Sequence, residues 1–156
     1  MKVIKLILIF PILFILFGVI FTELNKMYWD NKIKTMCDKD AGLTIYEKVT
    51  VSENQYKVIR SPLANVVILP LENKMKSGDP YFIRYDRKKM EKIFLYITRD
   101  EQFIVRRSDG KILSEVVSYS RVGGDFPVGF EQSYSSCGRD ESELKLLNTV
   151  VTIEEN

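Results

Sequence analysis

Residues Leu6 to Thr22 (LILIFPILFILFGVIFT) form one unbroken apolar run behind Lys2 and Lys5. As a helix these 17 residues reach roughly 26 Å, close to the ~30 Å hydrocarbon thickness of a bilayer. Val3 and Ile4 lengthen the span once Lys5 snorkels back to the headgroups. The run addresses the chain to a membrane and constrains everything that follows it.

A cleaved secretory signal and a retained anchor both begin this way. Cleavage needs small residues just after the apolar stretch, and Gly18-Val19-Ile20-Phe21-Thr22-Glu23-Leu24 has no Ala and no pair of small residues two apart. A lipoprotein signal needs a cysteine directly after the run, whereas the first cysteine is Cys37. The retained single-pass anchor is the preferred reading. The expected organisation is a cytoplasmic N-terminus (1–5), a transmembrane signal-anchor helix (6–22), a juxtamembrane helix or linker (23–36) and a periplasmic α+β domain (37–156). Tyr28 and Trp29 follow at the spacing of interfacial aromatics, although packing within the folded domain explains them equally well.

Charge does not settle the orientation. Lys2 and Lys5 on one side balance Lys26, Lys32 and Lys34 on the other, and acidic residues contribute little. All 21 acidic residues and 21 of the 23 basic residues follow Thr22, so the exported part is formally neutral. A neutral domain argues against nucleic acid as a partner, because phosphate binding needs a net basic face. A local cluster of Arg84, Arg87, Lys88, Lys89 and Lys92 reads as a solvated loop or strand edge in preference to an anion site.

Histidine is absent. That removes the usual general base at neutral pH, the Ser-His and Cys-His nucleophile pairs and the commonest zinc ligand. With two cysteines, a structural zinc site has too few parts, so neither a metal nor a cofactor is expected. No catalytic residue is assigned, and a non-enzyme is expected.

Cys37 and Cys137 lie 100 positions apart, which excludes a CxxC redox motif. An even count in an exported domain suggests one disulfide. The alternative is a pair of buried free thiols on the cytoplasmic side. A disulfide would place the amino terminus inside and the domain outside, which in a Gram-negative cell means anchoring in the inner membrane with the domain in the periplasm. Closing so long a loop restricts the unfolded chain by about 4–5 kcal/mol in the entropy account.

From Glu23 to Met36 the chain is polar and free of Gly and Pro, so the anchor helix is expected to continue until Asp38-Lys39-Asp40-Ala41-Gly42 breaks it. Leu43 to Val51 alternates apolar and polar positions, predicting one strand. Glu53 to Arg60 is ambiguous, with a short helix as one option; Val66 to Leu69 is a short strand, and Leu71 to Pro80 a loop. Tyr81–Tyr85, Lys92–Thr98, Gln102–Arg107 and Lys111–Val122 read as successive strands, with Arg99-Asp100-Glu101 as a turn and Asp109-Gly110 as a hairpin. Phe94 and Tyr96 are apolar opposite Ile93, Leu95 and Ile97, which places that strand centrally in the sheet. Gly123-Gly124 ends the long strand, Asp125 to Ser136 is a loop, and Asp140 is a candidate cap for a helix near Ser142 to Val150. The predicted fold is α+β: a transmembrane helix and a small, mainly antiparallel meander of four to six strands with minor helices.

Three stretches carry a resemblance. Cys37-Asp38-Lys39-Asp40-Ala41-Gly42 runs into Ile45-Tyr46-Glu47-Lys48-Val49; Val116-Val117-Ser118-Tyr119-Ser120-Arg121-Val122-Gly123-Gly124-Asp125 follows later, then Ser136-Cys137-Gly138. The chain resembles a group of small uncharacterised bacterial envelope proteins, membrane-anchored or lipoprotein-like, with a C-x-K-D-G-G-like start, a V-S-Y-S-R-x-G-G-like strand and a late cysteine. Ala41 stands where that pattern has its first Gly. The resemblance implies a location and the cysteine pair, and no activity.

The best candidate binding surface is Tyr119, Arg121, Gly123, Gly124 and Asp125. Arg121 offers a fork of donors, and the glycines admit a close approach. The preferred reading of the segment is nevertheless a strand ending in a flexible turn, with Arg121 paired to Asp125. Glu47 falls among apolar neighbours, either at a strand edge or as a buried carboxylate paired with an arginine, where a raised pKa would mark a functional site. Ser133, Ser135 and Ser136 have no base partner and read as loop.

Three functions fit in decreasing order. The first is a non-catalytic, membrane-tethered interaction or accessory protein, immunity- or exclusion-like, facing the periplasm. Its partners would be the lipid bilayer through 6–22 and a protein of the envelope, for which tethering raises the effective concentration. The second is a small-ligand-binding envelope module, with Tyr81, Phe82, Tyr85, Phe94, Tyr96, Phe103 and Phe126 available to line a pocket. The third is a two-carboxylate enzyme, which no spacing supports.

Overall fold

A computed structural model of the chain describes residues 2–52, 56–60, 65–125, 132–137 and 149–153. A single long helix, α1 (Lys2–Asp40), takes in the apolar run and everything up to the first strand. Among the described residues it is the one helix long and apolar enough to cross a membrane. Side chains from Ile9 to Phe17 stand exposed, with Phe10 at 72 %. Thr22 satisfies its own hydroxyl by donating to the Gly18 and Val19 carbonyls, both at 3.0 Å, the way a polar residue is tolerated at the end of an apolar helix. The helix ends with Ala41 N–H donating to Cys37 O at 3.1 Å.

The principal sheet is antiparallel, in the order β1 (Gly42–Ile45), β7 (Ile112–Gly123), β6 (Leu95–Arg106), β5 (Tyr81–Lys92). β8 (Tyr134–Cys137) continues the line of β1 along the outer edge of β7: β1 pairs with residues 114–117 and β8 with 119–122. Two small sheets complete the fold, β3 (Lys57–Arg60) with β4 (Asn65–Ile68), and β2 (Val49–Val51) with β9 (Val151–Ile153), the latter parallel. The α+β expectation therefore holds. β6 is central, as its two apolar faces require: one side of the sheet packs Ile104 and Val116 against Val49, Val51, Val67 and Val151, and the other packs Leu95, Ile97 and Val117 against Ile33 of α1. Full burial of Ile97 and Ile104 stabilises the sheet by ~1.5–3 kcal/mol each.

Several boundaries differ from expectation. Residues 43–51 are not one strand, because Tyr46 and Glu47 both donate their N–H to Leu113 O, at 2.8 and 3.0 Å, and the turn sends β2 to a different sheet. Their alternation was still informative, since Leu43, Ile45, Val49 and Val51 all reach one core. Arg99-Asp100-Glu101 is no turn but the middle of β6, opposite Lys88–Asp86 and Tyr119–Val117. Those charges tolerate strand geometry because each meets a cross-strand partner: Asp100 with Arg87 at 2.7 Å, Glu101 with Lys88 at 3.1 Å. The basic cluster is accordingly part of β5, the sheet's edge strand. The real β5–β6 turn is Ile93-Phe94, with Phe94 at φ 64°.

Asp109-Gly110 does close the β6–β7 hairpin. Gly110 takes φ +68°, which glycine adopts freely, and Arg106 N–H donates to Lys111 O at 2.9 Å. Lys57–Arg60 is a strand, not a helix. The stretch 125–136 read as loop contains the start of β8. Most of the expected terminal helix lies outside the described residues, although Thr149 and Val150 are helical and lead into β9, which the sequence reading did not predict.

Candidate functional site

Lys26, Asp30, Ile33, Cys37 and Asp40 recur at spacings of 4, 3, 4 and 3, which lines them up on one stripe of α1. On β7, Val117, Tyr119, Arg121 and Gly123 share one face by strand alternation. The two stripes meet. Lys26 to Asp40 rises about 21 Å along a helix, and Asp125 back to Tyr119 covers about 20 Å of extended chain, so the helix runs antiparallel to the end of β7 with its contacts in step.

The contacts run from one end to the other. Lys26 Nζ donates to Asp125 Oδ1 at 3.0 Å. Arg121 Nε donates to Asp30 Oδ1 at 2.7 Å and Nη2 to Oδ2 at 3.3 Å. Ile33 packs with Leu95, Ile97, Val117 and Tyr119, flanked by Trp29 and Met36. Cys37 is joined to Cys137 of β8 by a disulfide, with Cα atoms 6.3 Å apart. Farthest along, the Tyr119 hydroxyl donates to Asp40 at 2.9 Å and accepts from Arg99 Nε at 2.9 Å.

The electrostatics follow from this geometry. A hydrogen bond from Ser133 N–H, helped by the Lys26 ammonium, holds the Asp125 carboxyl down to about 2, against the pull of partial burial. Lys26 is raised, chiefly by its bond to Glu23 and then by Asp125. Burial pushes the Tyr119 phenol up, with Asp40 adding to the shift and Arg99 opposing it.

All five residues of the predicted binding surface are brought together here: Tyr119, Arg121, Gly123, Gly124 and Asp125. They form the seat of the chain's own helix. Arg121 is 3 % exposed, and its partner is Asp30 and not the expected Asp125. It also donates to Gly123 O and to Ser133 Oγ. A Cβ on Gly123 would stand 2.9 Å from Phe94 O, and one on Gly124 2.8 Å from the Lys26 side chain. The close approach inferred for the glycines is therefore made within the molecule. Lys26, Asp30, Asp40 and Arg99 were missed; the 4-3-4-3 spacing on a helix continuing past the membrane run was the available signal.

Glu47 is partly exposed and paired with Arg106 and, at 2.7 Å, with Lys111. Its pKa is lowered, by Lys111 first, so the raised value considered above is not found. Phe82 and Phe103 belong to a small core with Val105, and Phe126 lies outside the described residues. Tyr85 lines a cleft of about 490 Å³ with Leu71, Glu72, Asn73 and Ile83. Among the described residues, no group of three or more acidic or cysteine side chains is placed to hold a metal.

No protein-family model, curated protein or solved structure matches the chain.

Proposed function

We propose that this is a single-pass inner-membrane protein whose domain faces the periplasm and serves as a non-catalytic interaction or accessory factor, immunity- or exclusion-like. The observation that carries the reading is the bracing of α1. A helix that leaves the apolar run without interruption is fixed to the sheet by ion pairs, a hydrophobic stripe and a disulfide. Such a brace holds a folded surface at a set height and angle above a bilayer, which suits recognition of another membrane-bound protein. The Cys37–Cys137 bridge supports the outward orientation, because disulfides persist in oxidising compartments. The resemblance to small envelope proteins points to the same location, and the neutral exported part gives nucleic acid no basic face.

Thiol labelling in intact cells with a membrane-impermeant maleimide, before and after reduction, tests the reading. Labelling only after reduction is expected. Labelling without reduction would show free external thiols, and labelling only after lysis would put the domain in the cytoplasm.

A second reading, a small-ligand module, is favoured by the cleft at Leu71, Ile83 and Tyr85, whose volume falls in the range of ligand sites. Its test is a ligand-induced rise in Tm with envelope fragments, lost in Ile83→Arg.

A further inference from the structure

Resting on the reading of α1 as a membrane anchor, we propose that the tip of the β5–β6 hairpin, Ile93 and Phe94 with Lys92 beside them, is a second membrane contact. It would sit in the headgroup layer of the bilayer that α1 crosses.

The tip is apolar where a hairpin turn is ordinarily polar. Ile93 is 66 % exposed and Phe94 50 %. Phe94 also holds φ 64°, a conformation that glycine or asparagine takes at far lower cost. Among the described residues neither side chain belongs to a hydrophobic core cluster, so their packing does not account for a phenylalanine at this position.

Position supplies the explanation. Asn25 Nδ2 donates to Ile93 O at 3.2 Å, and Gly124, which lies against the Lys26 side chain, donates its N–H to Phe94 O at 2.8 Å. Asn25 is three residues beyond Thr22, a rise of about 5 Å. The polar layer of a bilayer leaflet is about 5–8 Å deep. The tip is thus tied to α1 at headgroup height. Direction agrees: because α1 runs antiparallel to the end of β7, the Leu95–Gly123 end of the sheet points toward the apolar run, and the Arg106–Tyr81 end points away.

The surrounding residues suit an interface. Lys92 Nζ rests 5.1 Å from the Trp29 ring centroid, on a long stem able to reach headgroup phosphates; Lys89, farther up the hairpin, is paired with Glu91 at 3.2 Å. Tyr28 and Trp29, in edge contact with each other, leave α1 about 9–11 Å beyond Thr22, just above that layer. Two attachments, one through α1 and one through the tip, would stop the domain from swivelling about the helix axis.

The test uses the full chain reconstituted in phosphatidylethanolamine–phosphatidylglycerol vesicles containing lipids brominated either near the top of the acyl chain or near its methyl end. In a Trp29→Phe background, a single indole is introduced by Phe94→Trp, by Ile93→Trp, by Phe14→Trp within the apolar run, or by Ser77→Trp at the far end of the sheet. A cooperative urea transition of each detergent-solubilised variant reports that it has folded. At interfacial depth, Phe94→Trp and Ile93→Trp should each lose about half their emission to the shallow bromines and less to the deep ones. Phe14→Trp should respond most to the deep bromines, and Ser77→Trp to neither. Quenching of Phe14→Trp with none at either tip position would leave the anchor intact and overturn the tip contact. No quenching at Phe14→Trp would overturn the anchor and the tip with it. Equal quenching at Ser77→Trp and the tip would show a domain lying flat, which also overturns the proposal.

Discussion

Asp30 and Arg121 close a two-pronged ion pair across 91 residues of chain, with a guanidinium 4 % exposed facing a carboxylate 40 % exposed. The asymmetry of exposure decides what each partner contributes. Removing the carboxylate strands a buried charge, whereas removing the guanidinium leaves a carboxylate that water can reach.

Asp30→Ala should therefore destabilise the domain by about 2–3 kcal/mol, and Arg121→Met, which replaces the charge with an apolar chain of similar length, by less. Urea midpoints of the detergent-solubilised proteins measure both. Equal losses would show that the buried charge does not control the energetics of this contact.

Loss of the disulfide should loosen the far half of α1 from the sheet. Cys37→Ser with Cys137→Ser is expected to lower stability by ~2–4 kcal/mol, and amide exchange between Ile33 and Asp40 should accelerate more than exchange in β6. Unchanged protection there would mean that the ion pairs and the Ile33 packing suffice.

Asp125 gives the brace an acid limit. Its folded pKa of about 2 lies below the ordinary carboxylate value near 3.9, so its contribution is fully present above about pH 4 and is lost as pH falls toward 2. Asp125→Asn should remove that part of the pH dependence, making the urea midpoint of the variant flatter than wild type between about pH 4 and 2. Parallel curves for the two proteins would exclude Asp125 as the source.

Gly123 and Gly78 make a contrasting pair. At Gly123 the backbone has φ +89° and an added Cβ would meet Phe94 O at 2.9 Å, whereas at Gly78 nothing lies within 4 Å. Gly123→Ala should cost about 2 kcal/mol or more and Gly78→Ala should stay within about 0.5 kcal/mol. Matching Tm shifts would contradict the packing of the hairpin against the end of β7.

The sequence was most legible where one physical demand dominated. The apolar run could only be a long exposed helix, Asp109-Gly110 could only be a tight turn, and the apolar Leu95 and Ile97 belong to a covered strand, although Ile93 and Phe94 beside them form an exposed turn. It was least legible where long-range pairing decided the outcome. Arg99-Asp100-Glu101 reads as a turn until Arg87 and Lys88 are known to lie opposite. Arg121 looks available for a partner until α1 is seen to deliver Asp30. The break at Tyr46-Glu47 depends on Leu113 O, more than sixty residues away in sequence.

The parallel pairing of Val49–Val51 with Val151–Ile153 has a consequence for biogenesis. Strand β2 leaves the ribosome early but has no partner until β9 has been synthesised about a hundred residues later, and Cys37 must likewise wait for Cys137. On the outward topology proposed above, the chain would cross the membrane with its closing elements last, so its sheet would complete after translocation and the late pairing would slow folding. With two cysteines in the chain, intramolecular oxidation has a single possible product, so maturation needs an oxidant but no disulfide reshuffling.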